Sequence, residues 1–255
     1  MPLAMLVPCA LWSVAVAPAS ESGRAIAERT FSRPQGRDAR LEMAVTLIDR
    51  KARRRTMKLL TLRRTVDGLD QTLIRFTDPS EIRGVGVLVR ERGKDLDSER
   101  LLFLPAVGEV RRISASRRYE SFAGTDFSFA DIAGRDIDDY TYALVEGEEA
   151  LESRGVYVLD VFPKDGKAGY ERARWWVDRE RLLVLKTEYY RRGDLAKRYV
   201  GSDPERIDGV WLLRRLEMED LRKLHRTVIE LTGVRFNLDL DPELLTTKSL
   251  QASVR

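Results

Sequence analysis

The chain has 255 residues, with 45 Lys and Arg against 41 Asp and Glu (net charge +4), one His and one Cys. Hydrophobic residues make up 43 %, too many for a disordered chain and too few for a multi-span membrane protein. One Cys excludes a disulfide framework and a cysteine zinc site, and one His excludes a His-rich metal centre. Charges of both signs alternate along nearly the whole chain, and the longest basic run is Arg53-Arg54-Arg55. That pattern reads as a solvated outer surface, with no nucleic-acid partner.

Leu3–Ala17 is an uncharged apolar stretch followed by Pro18-Ala19-Ser20. It is shorter than the ~20 residues a membrane helix needs and is interrupted by Pro8. Ala15-Val16-Ala17 and Ala17-Pro18-Ala19 both have the small-residue form of a cleavage site. The expectation is a signal peptide over residues 1–19, which removes Cys9, and one exported domain over residues 20–255.

Glu21–Thr30 follows as a short helix candidate, with Ser20 or Ser22 as its cap and Pro34-Gln35-Gly36 as its stop. From Leu41 the pattern becomes short apolar segments between turn residues. The first six are Met43–Ile48, Thr56–Leu62, Gln71–Phe76, Val85–Arg90, Arg100–Leu104 and Glu109–Ile113. Beyond the middle come Tyr140–Val145, Val156–Phe162, Ala173–Val177, Leu182–Tyr190, Ala196–Val200, Gly209–Met218 and His225–Phe236. Leu244–Leu250 reads as a last strand or turn. Asp67-Gly68, Asp165-Gly166, Gly193-Asp194 and Asp208-Gly209 supply turn chemistry at the spacing of an all-β barrel or sandwich. Met57 and Leu59 alternate with Thr56 and Lys58, which marks one wet and one apolar face.

Only Arg117–Asp139 breaks this rhythm. Thr125 or Asp126 is positioned to cap a short helix through Ile132, closed by Gly134. Phe122, Phe127, Phe129 and Ile132 crowd into eleven residues and need an apolar surface to bury against. In an antiparallel sheet protein that surface is the concave face.

Three stretches carry a family resemblance: Leu101-Leu102-Phe103-Leu104-Pro105, Val110-Arg111-Arg112-Ile113, and Ser121 through Asp131 (Ser-Phe-Ala-Gly-Thr-Asp-Phe-Ser-Phe-Ala-Asp). Arg83-Gly84-Val85-Gly86-Val87-Leu88, Trp176-Val177-Asp178 and Gly209-Val210-Trp211 agree in order. The sequence from about Arg40 to Leu250 resembles the outer-membrane lipoprotein-sorting protein family, relatives of the periplasmic Lol lipoprotein carriers. It departs from the family pattern at Leu212 and Ala130. The resemblance implies a mainly β chain with short α segments: a half-open antiparallel β-barrel of about eleven strands, covered by short lid helices. It also implies an apolar cavity for a lipid or lipoprotein acyl chain, carried between the inner and outer membranes by a periplasmic protein. An inner-membrane transporter and an outer-membrane acceptor would be its partners, and a monomer its state.

A chain of ~15 methylenes buried at about 0.8 kcal/mol each gives on the order of 12 kcal/mol before entropy costs, a nanomolar ligand. Such a cargo needs a lid. The expected lid comprises Phe122, Gly124, Asp126, Phe127, Phe129, Ile132 and Gly134, with the two glycines as its boundaries. The expected cavity residues are Met57, Leu59, Leu73, Val87, Leu102 and Leu104 on the early strands. On the late strands they are Trp176, Tyr189 and Trp211.

An enzyme would have to use His225, Asp126 or Asp131, and Ser121 or Ser128 as a triad, yet no G-x-S-x-G elbow accompanies them. Asp126 and Asp131 read instead as a helix cap and first-turn or surface carboxylates, and His225 as a strand residue. Asp136, Asp138 and Asp139 lack the loop spacing of a calcium site. The expectation is therefore no catalytic residue, no metal and no cofactor. The alternatives are a non-transporting envelope module that docks on a membrane transporter, with a barrel filled by side chains, and, behind it, an enzyme acting on a small apolar substrate in the same cavity.

Overall fold

In the computed structural model the described residues are 21–92, 98–114, 117, 119–133, 136–147, 150–164, 166 and 168–252. The expected signal peptide and Gly134 lie outside them. The leading helix is α1 (Gly23–Phe31), begun by Ser22, whose hydroxyl accepts the Ala25 N–H at 3.2 Å. Its Ile26 and Ala27 are fully buried.

Among the described residues fourteen antiparallel strands follow, three more than expected. They are β1 (Asp38–Ile48), β2 (Arg54–Val66), β3 (Leu69–Asp78), β4 (Gly86–Arg90), β5 (Glu99–Leu104), β6 (Glu109–Arg112) and β7 (Tyr140–Leu144). The second half holds β8 (Ala150–Leu151), β9 (Arg154–Pro163), β10 (Arg172–Asp178), β11 (Val184–Arg191), β12 (Asp194–Ile207), β13 (Val210–Asp220) and β14 (His225–Phe236). Along the sheet they run β6-β5-β4-β3-β2-β1-β14-β13-β12-β11-β10-β9-β7, with β8 paired to β9 alone. The ends β6 and β7 do not pair, so the barrel is open. At β6 the edge carries Glu109, Arg111 and Arg112, charges that discourage a further strand. Along β7 the edge is occupied by α1.

Short hairpins follow from turn chemistry. Asp67-Gly68 and Asp208-Gly209 both hold positive φ at each residue, the two-residue turn that matches the twist of the flanking strands. Of the strand or turn expected over Leu244–Leu250, no strand forms. Pro242–Leu245 makes a 3-10 turn and Thr247–Gln251 a short helix, α3 (α2 is described with the site). Pro242 at the first position of the turn suits a helical start and cannot donate to a ladder.

The sheet is strongly curled. Strands sit about 4.8 Å apart, so β4 and β10, eight steps along the order, would be ~38 Å apart in a flat sheet. Yet Val87 of β4 and Trp175 of β10 belong to one apolar cluster, with Ile26 of α1 and Phe122 and Phe127 of the middle segment. The convex side has its own clusters. Leu62, Leu73, Leu88 and Phe103 are covered by Leu245 and Leu250 of the C-terminal tail, and Val156, Val158, Trp176, Leu183, Leu185 and Leu213 form another. Asp38 accepts the backbone N–H groups of Leu238 (2.7 Å) and Leu240 (3.1 Å), which starts the tail on its path.

Three expected cavity residues therefore face the wrong way. Leu73 lies in the cluster under the tail, and Trp176 and Trp211 lie in or against the other convex cluster. Their strands carry apolar residues on both faces, so alternation gives no parity. Ile74 and Trp175 are the inward neighbours.

Candidate functional site

The segment that breaks the strand rhythm crosses the concave face. Ser121 and Ser128 form a bridge, and the Phe122 N–H donates to the Phe127 carbonyl at 2.8 Å. Between them Ala123 and Gly124 both take positive φ, +50° and +79°, and the Thr125 N–H closes on the Phe122 carbonyl. Gly124 is thus the second centre of a tight turn. The helix that follows is α2 (Phe129–Ala133), and neither Thr125 nor Asp126 caps it, contrary to expectation. Ser128 does. The Asp131 carboxylate accepts from the Ser128 N–H (2.8 Å) and hydroxyl (2.7 Å), while the Ser128 oxygen accepts the Asp131 N–H (3.2 Å). That is a reciprocal capping box.

Aromatic rings hold this lid to both halves of the sheet. Phe122 stacks on Phe76 of β3 (5.9 Å between centroids) and meets Phe129 edge-on (5.4 Å). Phe127 meets Tyr199 of β12 edge-on (6.4 Å). Ile132 packs against the same concave cluster.

Asp126 is buried rather than at the surface, which corrects the sequence reading. Its Oδ2 lies 2.6 Å from His225 Nδ1 and accepts the Thr227 hydroxyl at 2.8 Å. Thr227 Oγ1 in turn accepts the Asp126 N–H at 2.9 Å, and Lys197 Nζ donates to the Asp126 carbonyl at 3.0 Å. His225 and Thr227 stand two residues apart on β14, so both project to the concave face. Lys197 reaches in from β12. The two serines of the imagined triad are committed elsewhere: Ser121 Oγ donates to the Thr125 carbonyl and Ser128 Oγ to Asp131. Asp126, His225, Thr227 and Lys197 form a latch between lid and sheet. Among the described residues no group of three or more His, Cys, Asp or Glu side chains is placed to hold a metal.

Two adjoining cavities open beside the latch. The inner one, about 250 Å³, is walled by Phe31, Phe127, Trp175, Val184, Thr187, Tyr199 and Leu216. The outer one, about 470 Å³, is walled by Tyr119, Ser128, Tyr170, Arg191, Lys197, Asp220, Arg222 and Lys223. Ala130, Asp131, Tyr189 and Met218 line both. Burial holds the Arg33 guanidinium below the usual arginine range, and the negative charge of ionised Tyr199 offsets part of that shift.

The other half of the concavity is filled. Met57 and Leu59 line a gap of only about 20 Å³ beneath Phe122 and Ile132. Val87 and Leu102 also face inward on that side, and Leu104 shares the parity of Leu102 without joining the cluster. Of the expected cavity residues, only Tyr189 lines the open half. Sequence reasoning missed Trp175, Thr187, Tyr199 and Met218. Thr187 was available by counting two residues back from Tyr189, whereas Tyr199 and Met218 needed the pairing of β12 with β13.

A family model described as an uncharacterized protein matches residues 68–252. No curated protein matches the chain. Among solved structures it is similar to a DUF1329 family protein from Desulfovibrio piger, with 31 % identity over 89 % of this chain and 97 % of that one and a TM-score of 0.83. A putative outer membrane lipoprotein-sorting protein domain from Vibrio parahaemolyticus is 24 % identical over 90 % and 98 %, with a TM-score of 0.83. A LolA superfamily protein from Nitrosomonas europaea is 21 % identical over 90 % and 100 %, with a TM-score of 0.70.

Proposed function

The chain belongs to the DUF1329 family and has the fold of the LolA superfamily, and from that premise we propose that it is a carrier that holds the acyl part of a lipid or lipoprotein in its inner cavity. The observation that supports this most is the open half of the concavity. A barrel kept only as a scaffold would fill both halves with side chains, as the Met57 and Leu59 side is filled. Here an apolar chamber of about 250 Å³ continues into an outer one of about 470 Å³, the size range of pockets that take a small organic ligand. Phe127 forms part of the wall and part of the lid, so a chain held there lies against the segment that the latch at Asp126 fastens to the sheet.

In this reading the protein is exported, takes its cargo from an inner-membrane transporter and gives it to an outer-membrane acceptor. No helix among the described residues is long and apolar enough to cross a membrane. His225, the one histidine, serves the latch, and we infer a binding role without catalysis.

Native mass spectrometry and lipid extraction on protein purified without detergent test the reading. A co-purifying lipid, or uptake of a fluorescent fatty acid by protein stripped of its lipid, is the expected result. An empty protein that takes up no fatty acid overturns it. Phe127→Asp with Phe129→Asp should abolish uptake while the β-sheet circular dichroism stays unchanged. Normal uptake by that variant would place the entrance elsewhere.

A further inference from the structure

The outer cavity differs in chemistry from the inner one. Among the described residues its wall carries four cationic side chains, Arg191, Lys197, Arg222 and Lys223, against two carboxylates, Asp131 and Asp220. Both carboxylates are already engaged within the chain. Asp131 is held by the capping box of α2. Asp220 accepts the Arg222 N–H (3.1 Å) and the Lys223 N–H (3.0 Å) and lies 3.5 Å from Lys223 Nζ. Lys197 spends its ammonium on a neutral acceptor, the Asp126 carbonyl. Among the described residues, Arg191 and Arg222 form no ion pair within 4.0 Å.

The cations come from three places that the pairing of neighbouring strands brings together. Arg191 ends β11, Lys197 lies near the start of β12, and Arg222 and Lys223 form the turn between β13 and β14. All three lie at the same rim, because β11 and β13 finish where β12 and β14 begin. An apolar chamber that shares Ala130, Asp131, Tyr189 and Met218 with a basic one is complementary to an amphiphile with an anionic head. We propose that the outer cavity is a headgroup site for a phosphate- or carboxylate-bearing lipid whose acyl chain lies in the inner cavity. This rests on the carrier reading and adds to it the charge of the cargo.

Three matched ligands test it by calorimetry on the full chain: a lysophosphatidic acid, a monoacylglycerol of the same chain length, and inorganic phosphate. The anionic lipid should bind more tightly than the neutral one by about tenfold or more, the preference shrinking as salt rises. Arg191→Gln with Arg222→Gln should bring the two lipids to within about threefold of each other. The latch bond of Lys197 is untouched in that variant. Equal affinity of the wild-type protein for both lipids would overturn the headgroup site and leave the carrier standing. Binding of inorganic phosphate as tight as that of the lipid would reassign the vestibule to a free anion. Failure of all three ligands to bind would remove the carrier reading together with the headgroup site.

Discussion

Asp126 accepts a hydroxyl and lies in hydrogen-bond contact with the His225 ring, while its own N–H and carbonyl are each taken by a residue of the sheet. Removing the carboxylate leaves the buried Thr227 hydroxyl and the His225 ring nitrogen short of a partner. Asp126→Ala should therefore weaken the closed lid by about 1–3 kcal/mol. Amide exchange across residues 121–132 should speed by about tenfold to a hundredfold, and bound lipid should leave faster. Exchange rates equal to wild type would mean that the aromatic rings alone hold the lid. On the convex face Asp160 plays a plainer part. It lies 2.8 Å from Arg174 Nε and 2.9 Å from Arg172 Nη1. Burial pushes its carboxyl up, but the hydrogen bonds from Arg174 and Arg172 outweigh that and hold it below the usual carboxylate range. A lowered folded value means that the stabilisation is complete above the unfolded pKa of about 3.9 and is lost as pH falls through the folded one. Asp160→Asn should cost about 1–2 kcal/mol at neutral pH and show a shallower loss of stability on acidification. Parallel acid limbs for the two proteins would refute the assignment. Neither site was legible in the sequence for what it is. Asp126 reads as a cap from its neighbours, and only the return of β14, a hundred residues later, supplies the groups that bury it.

At the scale of elements, α1 illustrates a sign that helix propensity gets wrong. Glycine inside a helix ordinarily costs about 1 kcal/mol relative to alanine, so Gly23→Ala would be expected to help. A Cβ at Gly23 would lie 2.8 Å from the Leu144 N and 2.9 Å from the Ala143 carbonyl carbon, backbone atoms of β7 that cannot swing aside. The substitution should lower stability by about 1–3 kcal/mol through displacement of α1 from the sheet edge. A thermal midpoint equal to or above that of the wild type would show that the helix does not sit against β7. The same contrast between local and distant information explains what the sequence discloses about the strands. Hairpin signals such as Asp67-Gly68 are local, and the strands they join are found, two to four residues short at each end. Parity is legible where one face is wet, as at Met57 and Leu59 between Thr56 and Lys58. It disappears in Thr72-Leu73-Ile74 and Trp175-Trp176-Val177, because the convex face there is covered by the tail or by residues Leu183 and Leu185. Leu244–Leu250 reads as a strand or turn for the same reason. Its apolar residues match the convex cluster they cover, and that cluster is assembled from β2, β3, β4 and β5.

Across the whole molecule the concavity is divided by its lid. Phe122 and Ile132 press onto β1, β2 and β3 and leave about 20 Å³, whereas Phe127 roofs a chamber of about 250 Å³ over β10 to β13. The aromatic signature that the family resemblance rests on thus serves two ends: one ring closes a core, and another roofs a space. A cargo chain should accordingly lie against Trp175, Thr187, Tyr199 and Leu216, and not against Met57 or Leu59. Thr187 is buried, lines the chamber, and projects inward from the middle of β11. Thr187→Trp should fill much of that chamber and reduce lipid uptake by about tenfold or more, the loss expected when an acyl chain forfeits even two buried methylenes. The thermal midpoint separates occlusion from misfolding: a folded barrel with a near-wild-type midpoint and no uptake places the chain in this half. Leu59→Trp is the mirror experiment. It overpacks the filled side, so it should lower stability by about 1–3 kcal/mol while the folded fraction still takes up lipid. Were uptake blocked by Leu59→Trp and unaffected by Thr187→Trp, the cargo would have to enter by opening the side that the lid now closes.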